Sequence, residues 1–536
     1  MVFTTGALET GQPSSATATG RRARIATILS IVAAAVLVGL PLLTTPLPPL
    51  LDYPNHLARS FIVQHWADDP MLQHWYRITW QPVPGMGHDL VMAALTPFLD
   101  VETAGRVLLA LIQLSTLSGV AALHRALWAR WSLWPLAALP FLWHGAFMAG
   151  FTSFALGLGL AFWGAASWRW LDTRPMTARI AAAVAIGLAI YLTHVFALCC
   201  FLALVGSFES WRSLTAPRGD RLRSIADATL LMAATLAVPV LLFVWLQTTT
   251  EGSVLWGEWK WASRVRGLQM PLMGEFRDLR LALSGAVAAL ALLLVATRTI
   301  RIAWCLLPAA LLVSVLFMVL PGTIFSNGAV PERLAVLLVL MAVAATDFQA
   351  RHQTMRWAVP AIIAAFSVLQ SASVAVAWQQ SKTFTDGMRH AVETIPRGSR
   401  LLVVQPWPRG DVRYPFLTAR DRLPGWYFAL NDFPALMHMA SLAVPRGIFV
   451  PLLFSHPQKQ ILAFAPGLGG EQGKPFGLGE VMRPDARPGE IVTPAFAHFD
   501  SLLVLYGELL SDAQRAQLQA LHPSFDNGSI LVVPLR

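Results

Sequence analysis

"IATILSIVAAAVLVGLPLL", residues 25–43, is an apolar run that contains no charged side chain. An α-helix needs about 20 such residues to cross the hydrocarbon core of a bilayer. The run follows the basic cluster "RRAR" and carries no small-residue cleavage signal, so it predicts an uncleaved first membrane span. Soon after it comes "PPLLDYPNHLARSFIV", residues 48–63, where three ionisable side chains stand at the point at which the chain leaves the membrane.

The composition of the whole chain agrees with a membrane protein. Of its 536 residues, 55% are hydrophobic and only 13% are charged, which is too little charge to cover a soluble surface. The net charge of +10 comes largely from Arg in short loops between apolar runs. This pattern is typical of cytoplasmic loops and does not indicate nucleic-acid binding. The three Cys lie in apolar segments without metal-ligand spacing, which favours simple packing.

Eleven spans with a cytoplasmic N-terminus place the Arg clusters at 21–24, 125–130, 169–179, 212–223, 298–301 and 351–356 on the cytoplasmic side. The run 178–211 is too long for one span, and we divide it at His194 in "YLTHVF". The segment 86–99 is predicted to remain outside as a partly buried amphipathic helix. The predicted spans are 25–45, 104–127, 134–149, 153–171, the two halves of 178–211, 227–247, 279–297, 302–320, 332–347 and 357–378.

Three regions follow from this pattern. Residues 1–24 are predicted to be a disordered cytoplasmic N-terminus, and residues 25–378 a transmembrane module with outer loops 46–103 and 248–278. Residues 379–536 change to short apolar strands and Pro/Gly-rich loops, which predicts an extracytoplasmic α/β domain. Its strands are expected at 399–405, 499–507 and 529–535, with a helix whose capping box pairs Ser511 with Gln514.

The first outer loop supplies the leading candidate for chemistry. Asp52 lies just before a helix that is expected to begin near Asn55, and His56 and Arg59 share one face of that helix. A carboxylate there can act as a general base. Alternatively, Asp52 serves the helix N-terminus or an interface.

Other ionisable residues are predicted to reach the same membrane face. His144 and His194 lie in separate outer turns, and Glu332 and Arg333 open a late span. An ionisable residue that faces a bundle interior is a functional candidate, although packed His residues and snorkelling charges are the alternative. The outer loop 248–278 is basic where short outer loops should not be, which favours an anion site; the alternative is a solvated amphipathic loop. Its candidate phosphate ligands are Arg264, Arg266 and Arg277.

Motifs of soluble nucleotide and hydrolase chemistry are missing from the sequence. It contains no P-loop, no Rossmann glycine fingerprint, no nucleophile elbow and no HExxH zinc motif. The pattern of spans, an acidic residue that opens the first outer loop, and a C-terminal outer domain instead resembles the GT-C superfamily of membrane glycosyltransferases. "WHGAFMAGFTSFALGLGLAF" and "YLTHVFAL" are also similar to segments of bacterial proteins of this kind.

This resemblance implies transfer of a sugar from a polyprenyl-phosphate donor to an envelope glycan, lipid or protein acceptor on the extracytoplasmic face of a bacterial inner membrane. It implies that Asp52 is a general base or a ligand of Mg²⁺ or Mn²⁺, with His56 as the next catalytic candidate, and that Arg333 meets the donor phosphate. Asn55 and His56 occupy the positions at which a DxD or ExD motif would have its second carboxylate. Arg59, His144, His194 and Glu332 are then expected around the substrate cavity.

Two functions from other classes fit the same features. A transporter or flippase-like carrier of lipid-linked sugars would use the basic loop but no base, although charge within the spans is sparse for coupled transport. A non-catalytic envelope-assembly protein is the other alternative.

Overall fold

Apolar α-helices form most of the chain. A computed structural model describes residues 15–246, 261–324, 328–350, 352–396, 399–405, 444–445, 462–464, 476–477 and 500–535. Within these residues, seven helices are long and apolar enough to cross a membrane. The α-helices are α1 (Ser15–Thr44), α2 (Tyr53–His65), α3 (Pro70–Trp75), α4 (Gly87–Leu95), α5 (Val101–Trp128), α6 (Gly145–Met148), α7 (Thr152–Trp170), α8 (Met176–Thr193), α9 (Val195–Thr215), α10 (Arg221–Trp245), α11 (Trp261–Gly267), α12 (Arg277–Ala296), α13 (Leu307–Val319), α14 (Val330–Ala345), α15 (Gln353–Glu393) and α16 (Asp512–Gln519).

The predicted class, an α-helical polytopic membrane protein with a C-terminal region that contains a sheet, is confirmed. The seven helices that are both long and apolar enough to span are α1, α5, α8, α9, α10, α12 and α15. Helices α7, α13 and α14 coincide with three more of the predicted spans. The division of the run 178–211 is also confirmed, because α8 ends at Thr193 and α9 begins at Val195. His194 between them is in the extended conformation.

Residues 134–149 differ from the prediction of a regular membrane-spanning helix. They form a 3-10 helix over Trp134–Phe141 and then the short helix α6. Pro140 explains the difference, because it lies inside the segment, where proline lacks an N–H donor and clashes with the preceding turn of an α-helix. The tighter rise of about 2 Å per residue lets this short segment still connect the two ends of the bundle.

The helical bundle has two ends, the Asp347 end and the Asp52 end. At the Asp347 end, the buried Asp347 accepts a hydrogen bond from Arg130, and the strands β2 (Ile300–Ile302) and β3 (Thr346–Phe348) pair. At the Asp52 end, the 143–151 turn meets the start of α2. Residues 134–149 run between these ends. The indole N–H of Trp134 donates to the hydroxyl of Thr346 at one end, and the carbonyl of Ala149 accepts the N–H of Asp52 at the other.

Helices α5 and α7 form the tightest crossing of the bundle. A β-carbon on Gly119 of α5 would lie 2.7 Å from the carbonyl oxygen of Gly159 in α7. Such small residues let membrane helices approach closely, because packing rather than hydrophobicity drives their association in lipid. The predicted amphipathic helix in 86–99 is confirmed as α4, which packs against α7 and buries one face.

The C-terminal region is built on a mixed sheet. Its strands are β4 (Arg400–Gln405), β5 (Val444–Pro445), β7 (Phe476–Gly477), β8 (Ser501–Leu505), β9 (Phe525–Asp526) and β10 (Ile530–Pro534). They lie in the order β5-β4-β8-β10-β9, with β7 also paired to β4. The three predicted strands correspond to β4, β8 and β10, and the predicted capping box of Ser511 and Gln514 opens α16.

Two contacts join this region to residues 46–103, the predicted first outer loop. The strand β1 (Tyr76–Ile78) pairs with β6 (Leu462–Phe464). Helix α15 continues well beyond residue 378, where the last span was predicted to end, and its Arg389 forms an ion pair with Glu102 at 2.6 Å. These contacts place β6 and the end of α15 beside residues 76–102.

Candidate active site

The turn at residues 144–151 holds the start of α2 in place. His144 caps α6, since its Nδ1 accepts the backbone N–H of Phe147 at 3.1 Å. The carbonyl oxygens of Met148 and Ala149 then accept the N–H groups of Leu51 and Asp52 at 3.2 and 3.1 Å. The backbone around Asp52 is therefore fixed by a segment that is distant in the sequence.

Gly150 makes this contact sterically feasible. Its φ is +78°, in the left-handed region that favours glycine. A β-carbon at this position would lie 2.7 Å from the backbone nitrogens of both Asp52 and Tyr53. A larger residue would therefore push the turn away from the start of α2.

The Asp52 carboxylate does not cap α2. The helix begins at Tyr53, two residues earlier than predicted, and Asp52 occupies its N-cap position without a side-chain capping bond. Burial raises the pKa of Asp52 to about 7, and the positive charge of Arg333 opposes the increase. A carboxyl with this pKa is ionised in about half of the molecules at neutral pH, which suits a general base.

Arg333 lies in the first turn of α14 and is buried. Its guanidinium lies 4.1 Å from the ring centroid of Phe151 and 5.1 Å from that of Phe154. The ring of Phe196 on α9 lies 5.9 Å away. Aromatic faces attract a cation of this kind. Phe151 is the last residue of the turn whose carbonyl groups bind the Asp52 backbone, so this one segment contacts both Asp52 and Arg333.

His194 supplies a second donor beside Arg333. The N–H of Phe196 donates to His194 Nδ1 at 3.0 Å, which caps α9. The ring is therefore neutral and carries its proton on Nε2. This nitrogen lies 3.4 Å from Nη1 of Arg333. Because both groups are donors, together they suit a shared acceptor such as a phosphate oxygen.

His56 stacks on His88 of α4, with ring centroids 4.7 Å apart. Ser60 Oγ donates to the carbonyl of His56 at 2.9 Å, so it accepts from His88 Nε2 at 3.3 Å. Nδ1 of His88 then accepts the hydroxyl of Thr152 at 3.0 Å. Burial lowers the pKa of His56 to about 3, with a further decrease from Arg59. His56 is therefore neutral at pH 7, and Asp52 is the stronger base.

Arg59 forms an ion pair with Asp89. Its Nη2 donates to Oδ2 of Asp89 at 2.7 Å, and both residues are buried. Burial raises the pKa of Asp89, and Arg59 opposes that increase. The pair joins α2 to α4. His88 and Asp89 were not among the residues predicted from the sequence, although consecutive ionisable residues in an amphipathic segment were a signal for them.

The three Arg residues of the basic outer loop lie in different surroundings. Arg264 is partly buried and donates to the carbonyl of Leu320 at 2.7 Å. Its helix α11 packs against the start of α14, where the half-buried Glu332 precedes Arg333. Arg266 and Arg277 are exposed. Arg264 and Arg266 both lie on α11, and Arg264 is thus the partly buried member of this set.

The described side chains near Asp52 do not provide a divalent-metal site. No three His, Cys, Asp or Glu residues in the described ranges converge in a way that could hold a metal ion. Asp89 is paired with Arg59, and His88 is engaged by two hydroxyl groups. Mg²⁺ is usually held by one or two carboxylates and several further oxygen ligands. The residues present therefore do not fit the Mg²⁺ or Mn²⁺ that the resemblance implies.

Comparisons with known proteins give two solved structures. No family model matches the chain, and no curated protein matches it. The crystal structure of ArnT from Cupriavidus metallidurans in the apo state is 13% identical, with a TM-score of 0.46 over 96% of this chain and 98% of that chain. The structure of ArnT from the same organism bound to undecaprenyl phosphate is 12% identical, with a TM-score of 0.48 over 95% and 98%.

Proposed function

We propose that this protein is a membrane glycosyltransferase that transfers a sugar from a polyprenyl-phosphate donor to a hydroxyl acceptor. The observation that supports this most strongly is the juxtaposition of a base and a cation. Asp52 has a pKa of about 7, and Arg333 lies near enough to influence it. The reaction takes place at the Asp52 end, which is the extracytoplasmic face of a bacterial inner membrane in this proposal. The acceptor is an envelope glycan, a lipid or a protein.

The chemistry needs one proton acceptor and one stabilised leaving group. The Asp52 carboxylate takes the proton from the acceptor hydroxyl, whose oxygen forms a bond to the anomeric carbon of the sugar. The bond from that carbon to the phosphate oxygen breaks, and the lipid phosphate leaves with the bonding electrons. Arg333 and the Nε2–H of His194 donate to the phosphate as its charge increases.

The position of Arg333 supports a lipid-linked donor. Arg333 opens α14 at one end of the helical bundle, where a lipid phosphate would lie while its tail remains in the bilayer. Phe151, Phe154 and Phe196 surround the guanidinium with aromatic rings. This low-dielectric surrounding strengthens the attraction between a guanidinium and a phosphate. In this proposal Arg264 joins the phosphate site, and Arg266 and Arg277 remain weaker candidates.

A genetic test separates this function from the alternatives. A host that lacks the gene receives the parent, Asp52→Asn or Asp100→Asn, and its envelope glycans and lipid-linked sugars are measured. We expect loss of one glycan linkage and accumulation of its lipid-linked sugar with the Asp52 variant, at an unchanged amount of protein in the membrane. Asp100 is the matched control, because it caps α5 through Thr103 N–H at 2.9 Å and Asn is an equally good cap.

The carrier and assembly functions predict different results. A carrier would move the sugar lipid without a base, so Asp52→Asn would restore the glycan. A non-catalytic assembly protein would also tolerate this nearly isosteric change. Full restoration of the glycan by Asp52→Asn would therefore overturn the glycosyltransferase proposal.

A further inference from the structure

A groove lies at the Asp347 end, away from the candidate active site. It has a volume of about 530 Å³. Small side chains of α5 form its floor and indole rings form its walls. The lining residues are Ser118, Ala121, Ala122, Arg125, Trp131, Trp163 and Trp170.

Arg125 provides the only charge in this lining. It lies in the last turn of α5, and its guanidinium is 4.0 Å from the ring centroid of Trp131. Among the described residues, no carboxylate forms an ion pair with it. Trp131 and Trp170 are 77% and 44% exposed. Indole rings gather at membrane–water interfaces, where one side is apolar and the other is wet.

The groove continues as an apolar strip along the outer face of α5. Leu111 and Leu114 are exposed there, one to two turns before Ser118. From Leu111 to Arg125 the helix rises about 21 Å, since each residue adds about 1.5 Å. One leaflet of a bilayer contributes about 15 Å of hydrocarbon. The strip and groove together are therefore long enough for one acyl chain with its phosphate at Arg125.

We propose that this groove binds an anionic phospholipid. The headgroup phosphate pairs with Arg125 between Trp131 and Trp170, and one acyl chain lies over Ser118 and Ala121. The charge of the site favours this occupant: within the described ranges no carboxylate pairs with Arg125, so its guanidinium attracts a headgroup with net negative charge more strongly than a zwitterionic one. Arg130, Arg298 and Arg301 also lie at this end. In the predicted orientation it faces the cytoplasmic leaflet, which is rich in anionic lipid. The site is separate from the proposed sugar transfer and does not depend on it.

Native mass spectrometry of the purified, detergent-solubilised protein tests the proposal. The protein is titrated with phosphatidylglycerol or phosphatidylcholine of the same chain length, and the fraction that retains lipid is measured. We expect tighter retention of phosphatidylglycerol, weakened about tenfold or more by Arg125→Gln, since one charge-assisted contact is lost. Arg301→Gln is the matched control. Arg301 is an exposed cation at the same end, 5.3 Å from the ring of Trp128, and it lies outside the groove.

A second variant tests the acyl chain separately. Ala121→Leu narrows the floor and keeps Arg125, so it should also weaken retention while Arg301→Gln does not. If Arg125→Gln does not fold, lipid retention by Ala121→Leu still tests the proposal. Equal retention of the two lipids, or unchanged phosphatidylglycerol retention in the folded Arg125 or Ala121 variant, would overturn the proposal. Full competition by glycerol phosphate alone would show a site for free phosphate instead of a lipid.

Discussion

Gly150 lies against the backbone of Asp52, at a distance that leaves no room for a side chain between them. A β-carbon on Gly150 would be 2.7 Å from the Asp52 nitrogen, and the φ of +78° is itself unfavourable for other residues. The same turn continues into Phe151, which lies under the guanidinium of Arg333. The position of Asp52 relative to Arg333 therefore depends on this one glycine.

Gly150→Ala should reduce transfer strongly, because the turn must move away from α2 and carry Phe151 with it. A decrease of about a hundredfold corresponds to misplacement of reacting groups by about 1 Å. Gly285→Ala is the control, since no atom lies within 4 Å of its added methyl group. Transfer rates and the thermal midpoint should be measured for both. Normal activity in Gly150→Ala would show that the turn does not position the site.

The rate of transfer should follow the ionisation of Asp52. Only the carboxylate accepts a proton, so kcat/KM should rise tenfold per pH unit below about 7 and level off above it. Asp52→Asn should lower the rate by about 10²–10⁴ and lose this dependence. A flat profile in the parent between pH 5 and 8 would exclude Asp52 as the base.

Asp52 should also make the protein less stable as the pH rises. Its pKa is about 7 in the folded state, compared with the ordinary value of 3.8 that applies to the unfolded chain. Between these pH values the folded state therefore binds more protons than the unfolded state. The free energy of unfolding therefore decreases from about pH 4 to about pH 7 through this group. Asp52→Asn removes the decrease, so its thermal midpoint should equal or exceed that of the parent at pH 8. A lower midpoint at pH 8 would instead indicate a structural role for the carboxylate.

Arg333→Gln should shift the pH profile to higher pH. The positive charge favours the Asp52 carboxylate, so its removal raises the pKa of Asp52 further. It should also weaken donor binding about ten- to hundredfold, as expected for the loss of a charge-assisted hydrogen bond. Arg333→Lys retains the charge and should shift the profile less. Arg77→Gln, at the exposed position of β1, controls for the net charge. An unchanged pH profile in folded Arg333→Gln would show that Arg333 does not influence the ionisation of Asp52.

Loss of either partner of the Arg59–Asp89 pair should destabilise the protein. The pair is buried, and the remaining charge would lack its opposite charge, at a cost of about 3–5 kcal/mol. Asp89→Leu combined with Arg59→Met should recover much of that loss, because two apolar side chains replace two charges. Thermal unfolding of the single and double variants in detergent measures the interaction free energy between Arg59 and Asp89. Additive effects would show that the pair contributes nothing as a pair.

The membrane orientation can be tested with reporter fusions. With eleven spans and the N-terminus inside, fusions after Asp220 and Arg351 should report the cytoplasm. Fusions after Gly252 and Arg536 should report the opposite side. A cytoplasmic signal at residue 536 would reverse the face at which Asp52 is proposed to act.

Local patterns in the sequence determined where most helices and strands lie. Apolar runs identified the long helices, and the length of 178–211 required the break at His194. Alternation of apolar segments with turn residues likewise identified β4, β8 and β10. These features depend on neighbouring residues, so they can be recognised without knowledge of the fold. The 3-10 segment was the exception, although Pro140 was visible in the sequence.

Tertiary structure alone decided the contacts of the candidate site. The sequence indicated Asp52 and Arg333 separately, but it did not show that Gly150 and Phe151 join them through one turn. The ion pair of Arg59 with Asp89 was hidden for the same reason. Such contacts join segments that are remote in sequence, and they form only when helix packing has fixed the distances between elements. Local periodicity carries no information about those distances, so it determines which residues are candidates and leaves their partners to the fold.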